Sequence, residues 1–324
     1  TIPLIVEETH FDAELYTLGR RVRVQHENSE SMAPCLSSGV AVQQSMMDAL
    51  ARAVTVLRSE LSKYLLESRD GEIERLAIQS AAMAPETIRM LELVGIEPGW
   101  TCLDIGCGPG GITDLLSDKV GASGSVTGLD MNAGFLEHAR ATAPPNVAFV
   151  AGDACGSDLP TGSFDLVHMR FVASPTGDVE RLLAEAIRLT RPGGIVALQE
   201  PDGTSLNCYP PNLAWDKLKA ALLGAFKGVG ADPELAKRLY HAARQTGLSE
   251  VQLRTFIVGV RAGDPLVDYL PSTVESLRST IFKLGLLSPA DLPGLLAECR
   301  NHLQQPDTSF TMFTVAQVWG RKAP

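Results

Sequence analysis

The sequence predicts an α/β fold built on a doubly wound, mainly parallel sheet. Between residues 100 and 199, short apolar segments alternate with segments of helical periodicity. The apolar segments show no alternation with polar residues, as expected of strands that helices cover on both faces. In addition, a glycine-rich turn follows the first of these strands and opens a helix, the usual arrangement at the start of such a sheet.

The composition is that of a folded protein with a sizeable core. Of the 324 residues, 45% are hydrophobic and 20% are charged. No apolar run approaches the ~18–20 residues that a membrane helix needs. The acidic residues Glu7, Glu8 and Asp12 do not fit a secretory signal. We therefore expect a cytoplasmic protein with no membrane partner.

Charge and cysteine spacing exclude further classes. The formal net charge is -10 and no run of Lys or Arg occurs, so a nucleic-acid partner is not expected. The six cysteines are scattered and form no CxxC pair, which gives no support for a zinc or redox site. No Asp/Asp-Asn set of metal ligands is found either, and we therefore predict no metal.

The chain divides by pattern into three regions. Residues 1–71 form an N-terminal extension whose helix carries an apolar stripe from Met47 to Tyr64 at steps of three and four. This stripe packs against the body of the protein or forms the seam of a homodimer. Residues 72–202 form the core, and residues 203–324 contain cap helices and the last two strands.

Within the core, helices are predicted at 72–83 and, opened by Pro85, at Glu86–Val94. Five strands follow, at Trp100–Ile105, Ser125–Leu129, Val147–Val150, Phe164–Met169 and Ile195–Gln199. Beyond residue 200, helices are predicted at Asn212–Phe226, Pro233–Thr246 and within Leu266–Leu303. Single strands are predicted at Val251–Val260 and Phe310–Trp319.

A glycine-rich segment, Leu103–Gly111, carries the strongest local signal. Glycines allow the backbone to approach a ligand closely, and the following helix presents free N–H groups. Four further motifs follow in order: GLD ending at Asp130, GDA at 152–154, FDLV at 164–167 and RPGG at 191–194. Asp165, in the third of these, starts a predicted buried strand.

This series of motifs resembles the class I methyltransferases that use S-adenosylmethionine (SAM), above all the ubiquinone/menaquinone-type branch and natural-product tailoring enzymes. The resemblance covers residues 72–200, and it implies that Asp165 is a structural carboxylate. Asp104, two residues before the first glycine, favours SAM over NAD. The resemblance implies a Rossmann-like, seven-stranded sheet with an N-terminal helical extension and a C-terminal helical cap, and SAM as cofactor.

The resemblance also places the cofactor contacts. It implies that Asp104 and the glycines line the methionine part of SAM, and that Asp130 binds the ribose. The remaining predicted contacts are Met131, Asp153 and Ala154 around adenine, Met169 and Arg170 in the same cleft, and Tyr64 and Gln79 closing over SAM. The glycines concerned are Gly106, Gly108 and Gly110.

Glu200 and His168 are the predicted catalytic bases, because a hydroxyl nucleophile benefits from one. Glu200 is expected to be partly accessible, or else to hold Arg170. His168 lies inside a strand and is alternatively a hydrogen-bonded core residue.

The aromatic and apolar residues outside the motifs predict a small-molecule acceptor that is bulky and mostly apolar. O-methylation of a natural product in secondary metabolism is the first expectation, followed by C- and then N-methylation of a quinone-like or alkaloid acceptor. A non-methylating SAM-binding cyclase and a SAM-sensing regulator are the alternatives.

Overall fold

The computed structural model describes residues 71–324, and their main feature is a seven-stranded sheet of order β3-β2-β1-β4-β5-β10-β7. The first five strands run parallel, and β10 is antiparallel to both of its neighbours. The strands are β1 Thr101–Ile105, β2 Ser125–Asp130, β3 Val147–Ala151, β4 Phe164–Arg170, β5 Thr190–Asp202, β7 Ser249–Phe256 and β10 Thr314–Arg321.

Helices cover both faces of this sheet. On one face, Met90 and Leu91 pack with Leu116 against Leu166 and Ala197 of the strands. On the other face, Leu182, Leu183 and Leu239 pack against the opposite side chains of the same strands. The helices are α1 Glu72–Val94, α2 Ile112–Val120, α3 Ala133–Thr142, α4 Ala173–Thr176, α5 Val179–Leu189 and α7 Leu239–Gln245. The doubly wound sheet predicted from the sequence is confirmed.

A second cluster of elements forms the cap. Its helices are α6 Leu213–Gly228, α8 Tyr269–Ser276, α9 Arg278–Lys283 and α10 Leu292–Leu303, and its strands β6 Asn207–Tyr209, β8 Gly259–Arg261 and β9 Ser309–Thr311 form a small antiparallel sheet. Trp215 is buried against Phe310, with 4.9 Å between ring centroids. Cap helices were predicted, but the small sheet was not.

Three predicted boundaries were wrong. The helices expected on either side of Pro85 are one helix, α1. The single strands expected at Val251–Val260 and Phe310–Trp319 are each two strands, because both segments pass from the main sheet to the small sheet. The Met312 N–H donates to the Val258 carbonyl at 2.8 Å where they cross.

The RPGG segment, predicted as a turn, begins β5. The carbonyl of Gly194 accepts from the N–H of Lys322 at 2.9 Å, and the N–H of Gly193 donates to the Lys322 carbonyl at 3.1 Å. The pairing therefore extends past the apolar stretch that marks the strand in the sequence. No helix in residues 71–324 has the length and apolar character needed to cross a membrane.

Candidate active site

The glycine-rich loop between β1 and α2 lies at the carboxyl end of the parallel strands, where ligands bind in open α/β sheets. Gly106 and Gly108 both have positive φ, 67° and 55°. A Cβ on Gly106 would lie 2.3 Å from a methyl of Val172, whereas a Cβ on Gly108 would meet nothing within 4 Å. The loop thus packs tightly on one side and opens to space on the other.

Two buried side-chain oxygens of this loop region lack hydrogen-bond partners. They are Oδ2 of Asp104 and Oγ1 of Thr113, and among residues 71–324 no other buried side-chain nitrogen or oxygen is left in this state. The Thr113 hydroxyl lies 3.8 Å from the position of a Cβ on Gly110. Because buried polar atoms are normally paired, these two oxygens indicate a ligand that supplies donors. Thr113 was not among the predicted residues.

Asp104 itself is held rigidly. Its side chain is buried, and Oδ1 lies 2.8 Å from Nδ1 of His168 on the neighbouring strand. Only Oδ2 is therefore left to meet a donor, and a carboxylate oxygen is a strong acceptor for an ammonium group.

Asp130 ends β2 directly beside the loop. Its Oδ2 accepts the N–H of Gly108 at 2.8 Å, and its Oδ1 accepts the N–H of Asn132 at the same distance. Burial raises the pKa of this carboxyl, and the two backbone amides offset part of that rise. Each oxygen retains a lone pair, so the carboxylate can still receive hydroxyl donors.

The side chains predicted around adenine lie at the ends of β2 and β3. Met131 is 50% exposed and offers an apolar surface. Asp153 is exposed, where it accepts the N–H of Cys155 at 2.8 Å and lies 3.6 Å from Arg181, and Ala154 is half-buried against the core. Their roles toward a cofactor remain predictions.

Arg170 ends β4 and connects it to α1. Its Nη2 donates to Ser80 at 2.8 Å and its Nη1 donates to Thr87 at 3.2 Å. Burial lowers the pKa of this guanidinium to about 10, which leaves it charged at neutral pH. Arg170 therefore does not pair with Glu200, which was one of the two expectations for Glu200.

Three other residues were predicted to line the cofactor cleft or to close over it, and the structure places two of them and does not describe the third. Met169 points to the opposite side of β4, into the core, because successive side chains of a strand alternate. Gln79 on α1 is half-buried and accepts from Arg75 at 3.1 Å, one residue before Ser80. Tyr64 and the Met47–Tyr64 stripe lie outside the described residues.

Glu200 is fully buried inside β5, so the expectation of partial accessibility was wrong. Its carboxylate accepts the backbone N–H groups of Val172, Ala173 and Ser174 at 3.0, 2.8 and 3.0 Å. Burial raises its pKa to about 7, against the effect of these three amides. This geometry makes Glu200 a support for the turn after β4 and leaves it poorly placed to take a proton from a substrate.

His168 is a hydrogen-bonded core residue, which was the alternative to its predicted role as a catalytic base. Its exposure is 0%, and both ring nitrogens are bonded, Nδ1 to Asp104 and Nε2 to Gln199 at 2.9 Å. Asp165 is structural as expected, because it accepts the Thr101 N–H at 2.7 Å and pairs with Arg191.

Comparison with known proteins shows which family the core of this chain resembles. Residues 102–194 match the model of a methyltransferase domain. A demethylmenaquinone methyltransferase of Lactococcus lactis is 35% identical over 125 residues, which are 37% of this chain and 50% of the relative. The core of the chain is therefore a methyltransferase domain of the class I SAM-dependent type.

Two further relatives give the same result for the core. The nocamycin O-methyltransferase of Saccharothrix syringae is 33% identical over 36% of this chain and 43% of its own length. An uncharacterised 37.1 kDa protein of a Streptomyces fradiae transposon is 30% identical over 59% of this chain and 55% of its own. The matches thus span about half the length of the curated relatives.

A solved structure confirms the fold. A Bacillus halodurans protein described as a methyltransferase superposes with a TM-score of 0.50 at 18% identity, covering 73% of this chain and 98% of that one. SAM is the cofactor of the family, and the residues present fit it: Asp104 Oδ2 is an unused acceptor for the ammonium, and Asp130 lies at the end of β2 for the ribose hydroxyls.

Proposed function

We propose that this chain transfers the methyl group of SAM to a small, bulky and mostly apolar natural product, with a hydroxyl oxygen as the preferred acceptor. The observation that carries the proposal is the pair of unpaired buried oxygens, Asp104 Oδ2 and Thr113 Oγ1, both beside the glycine-rich loop. A cofactor with an ammonium group satisfies the first of them, and NAD has no such group to offer.

An aromatic cluster next to the loop supports an apolar acceptor. Phe171 follows Arg170 at the end of β4 and has φ 60°, a conformation that is uncommon for a residue with a side chain and that is often found at functional sites. Its ring meets Phe313 edge to face at 5.4 Å, and Phe313 meets Tyr269 of the cap at 5.7 Å. These rings join the end of β4 to the cap and supply apolar surface close to the glycine-rich loop.

The charges near this cluster favour an acidic hydroxyl. The Arg170 guanidinium lies 5.8 Å from the centre of the Phe171 ring. A fixed positive charge stabilises an anionic oxygen, so a phenol or enol that ionises near neutral pH would need no side-chain base. Such an acceptor suits a site in which neither Glu200 nor His168 offers a free lone pair to a substrate.

Methyl transfer from a sulfonium ion is a direct displacement with a neutral leaving group. The chain's own task is then to hold the nucleophile in line with the methyl group and to keep water out. O-methylation is preferred, in keeping with the relative named for nocamycin, and C-methylation, in keeping with the demethylmenaquinone relative, is second.

The test is acceptor-dependent formation of S-adenosylhomocysteine. The protein is incubated with SAM bearing a trideuterated methyl group and a panel of phenols, enols, quinols and aromatic amines, with Asp130→Ala as the inactive control. The proposal predicts a phenol or enol product heavier by one trideuteromethyl group, with fragmentation that locates it on oxygen. Consumption of SAM without a methylated product would favour a cyclase, and a product labelled only on carbon or nitrogen would contradict the preference for oxygen.

A further inference from the structure

A continuous chain of side-chain hydrogen bonds crosses five strands of the main sheet. It runs from Asp104 on β1 through His168, Gln199 and Gln317 on β4, β5 and β10 to Arg254 on β7. Asp104 pairs with His168 in the strand register, and Gln317 pairs with both Gln199 and Arg254. The three middle residues are fully buried, so none of these hydrogen bonds is exposed to solvent at His168, Gln199 or Gln317.

The direction of these hydrogen bonds is set at Arg254. A guanidinium can only donate, and its Nη1 donates to Oε1 of Gln317 at 2.7 Å. The Gln317 amide must then present its Nε2 to the other side. There it donates to the Glu86 carbonyl at 2.9 Å and to Oε1 of Gln199 at 2.8 Å.

Arg170 imposes the same direction from a second side. Its Nη1 donates to the hydroxyl of Thr87 at 3.2 Å, and that hydroxyl donates its own hydrogen to Oε1 of Gln199 at 3.2 Å. With Oε1 accepting from both Thr87 and Gln317, the Nε2 of Gln199 faces His168 and donates to it. Two arginines thus fix one amide orientation.

The orientation of the Gln199 amide determines which ring nitrogen of His168 carries the hydrogen. Because its Nε2 accepts, the ring carries its hydrogen on Nδ1 and donates it to Oδ1 of Asp104 at 2.8 Å. A proton on Nε2 would face the amide hydrogen of Gln199. The ring is therefore neutral, and the charge of Asp104 is not compensated by an imidazolium.

We propose that His168 is a positioning residue that, oriented by Gln199, keeps Asp104 as an open anionic acceptor for the ammonium group of the bound cofactor. The proposal rests on the proposed function, since it presupposes a ligand that carries this ammonium. It adds that the network across the sheet, and not Asp104 alone, determines the affinity for the amino-acid end of the cofactor.

The test is Gln199→Glu. This change keeps an acceptor toward Thr87 and Gln317 but replaces the donor that faces His168 by a carboxylate oxygen, which draws a proton onto Nε2. The resulting imidazolium compensates Asp104. We expect the affinity for S-adenosylhomocysteine to fall by about 10- to 100-fold, the effect of one charged hydrogen bond.

The control ligand is 5′-methylthioadenosine, which lacks the amino-acid end and should lose less than about twofold. Gln245→Glu, an exposed change of equal charge on α7, is the control variant and should leave both affinities unchanged. Nitrogen-15 spectra of histidine-labelled protein, with His168→Asn used to assign the signal, should show a His168 ring with hydrogen only on Nδ1 in the wild type that becomes doubly protonated in Gln199→Glu.

Two results would overturn the proposal: a wild-type His168 ring with its hydrogen on Nε2, or an altered ring state with unchanged S-adenosylhomocysteine affinity. If Gln199→Glu does not fold, His168→Asn and His168→Leu replace it. Asparagine can still donate to Asp104 and should bind S-adenosylhomocysteine about tenfold more tightly than the leucine variant; equal affinities would also refute the proposal. A wild type that binds neither ligand would instead refute the proposed function.

Discussion

Glu200 is a buried carboxylate that supports the glycine-rich loop indirectly, through the turn after β4. By accepting three consecutive backbone N–H groups, it holds the turn that contains Val172. Val172 in turn lies so close to Gly106 that a single added methyl group there would collide with it. Loss of the Glu200 contacts should therefore reach the loop through Val172, although Glu200 touches no cofactor.

The pH dependence of this contribution can be measured. Burial raises the pKa of Glu200 from 4.5 to about 7, so the folded chain keeps a proton that the unfolded chain releases in this range. The stability contributed by this group is present below the unfolded pKa and is lost as the pH rises through 7. In Glu200→Gln, which cannot titrate, the free energy of unfolding should approach or exceed that of the wild type as the pH rises from 5.5 to 7.5.

Glu185→Gln is the control for that experiment, since hydrogen bonds with Arg188 lower the pKa of Glu185 to about 2. Both the folded and the unfolded forms of Glu185 are then ionised from pH 5.5 to 7.5, and its difference from the wild type should stay constant in urea denaturation. A Glu200→Gln difference that is equally constant would show that Glu200 does not titrate in this window.

At the residue scale, the sequence predicts what backbone motifs determine and misses what tertiary contacts determine. The positions of Gly106 and Asp130 beside the carboxyl ends of β1 and β2 could be predicted, because a glycine-rich turn and the end of a strand each leave a local pattern. Glu200 was misplaced because the apolar pattern ends at Gln199, whereas pairing with β10 extends the strand to Asp202. Thr113 has no local signal beyond its position in the first turn after the glycines.

Among the elements, α1 is the one that joins the parts of the site. Near its start, Glu72 accepts from Ser276 of the cap at 3.0 Å, and in its middle Ser80 accepts from Arg170. A Cβ on Gly111 of the loop would lie 2.7 Å from the Ser80 hydroxyl. Along its length, α1 therefore contacts the cap, the glycine-rich loop and the sheet.

Pro85 lies inside this helix, is exposed, and removes one helical hydrogen bond. We predict that Pro85→Ala raises the free energy of unfolding by about 1–2 kcal/mol, the helix gain less the freedom that alanine adds to the unfolded chain. Pro293→Ala, at an exposed first-turn position of α10 where no such bond is lost, should change it by less than about 0.5 kcal/mol. Equal effects in chemical denaturation would contradict this reasoning.

The sequence predicted two helices where the structure has the single helix α1, and Pro85 is the reason. Proline is normally a boundary in a helical pattern, and only contacts distant in sequence hold both halves in line. Met83 lies before Pro85 in the core of the cap, and Met90 lies after it against the sheet. The segments Val251–Val260 and Phe310–Trp319 were each predicted as one strand because no proline or run of charged residues marks the point where the chain passes from one sheet to the other.

At the scale of the whole molecule, the sheet, the glycine-rich loop and the cap all lie within residues 71–324. Apart from Tyr64, the predicted cofactor contacts therefore lie outside the N-terminal extension, and closure over the acceptor and a homodimer through the Met47–Tyr64 stripe remain proposals for it. We predict that deletion of residues 1–63 leaves SAM binding within a few-fold and abolishes acceptor turnover.

Calorimetry and a methyl-transfer assay on the same truncated sample distinguish the roles of the extension. Full turnover after the deletion would show that the extension takes no part in the reaction. A change from dimer to monomer in analytical ultracentrifugation, with turnover retained, would assign the stripe to the subunit seam.

The most direct measurement is the affinity of the wild-type protein for SAM and for NAD by calorimetric titration, repeated for Asp130→Ala and Asp118→Ala. SAM should bind and NAD should not, and Asp130→Ala should weaken SAM by at least about 100-fold, because two charge-assisted hydrogen bonds to the ribose are lost. Asp118, exposed on α2, is the matched control and should have no effect. Tighter binding of NAD than of SAM, or equal SAM affinities for the two variants, would contradict the assignment of the glycine-rich loop as a SAM site.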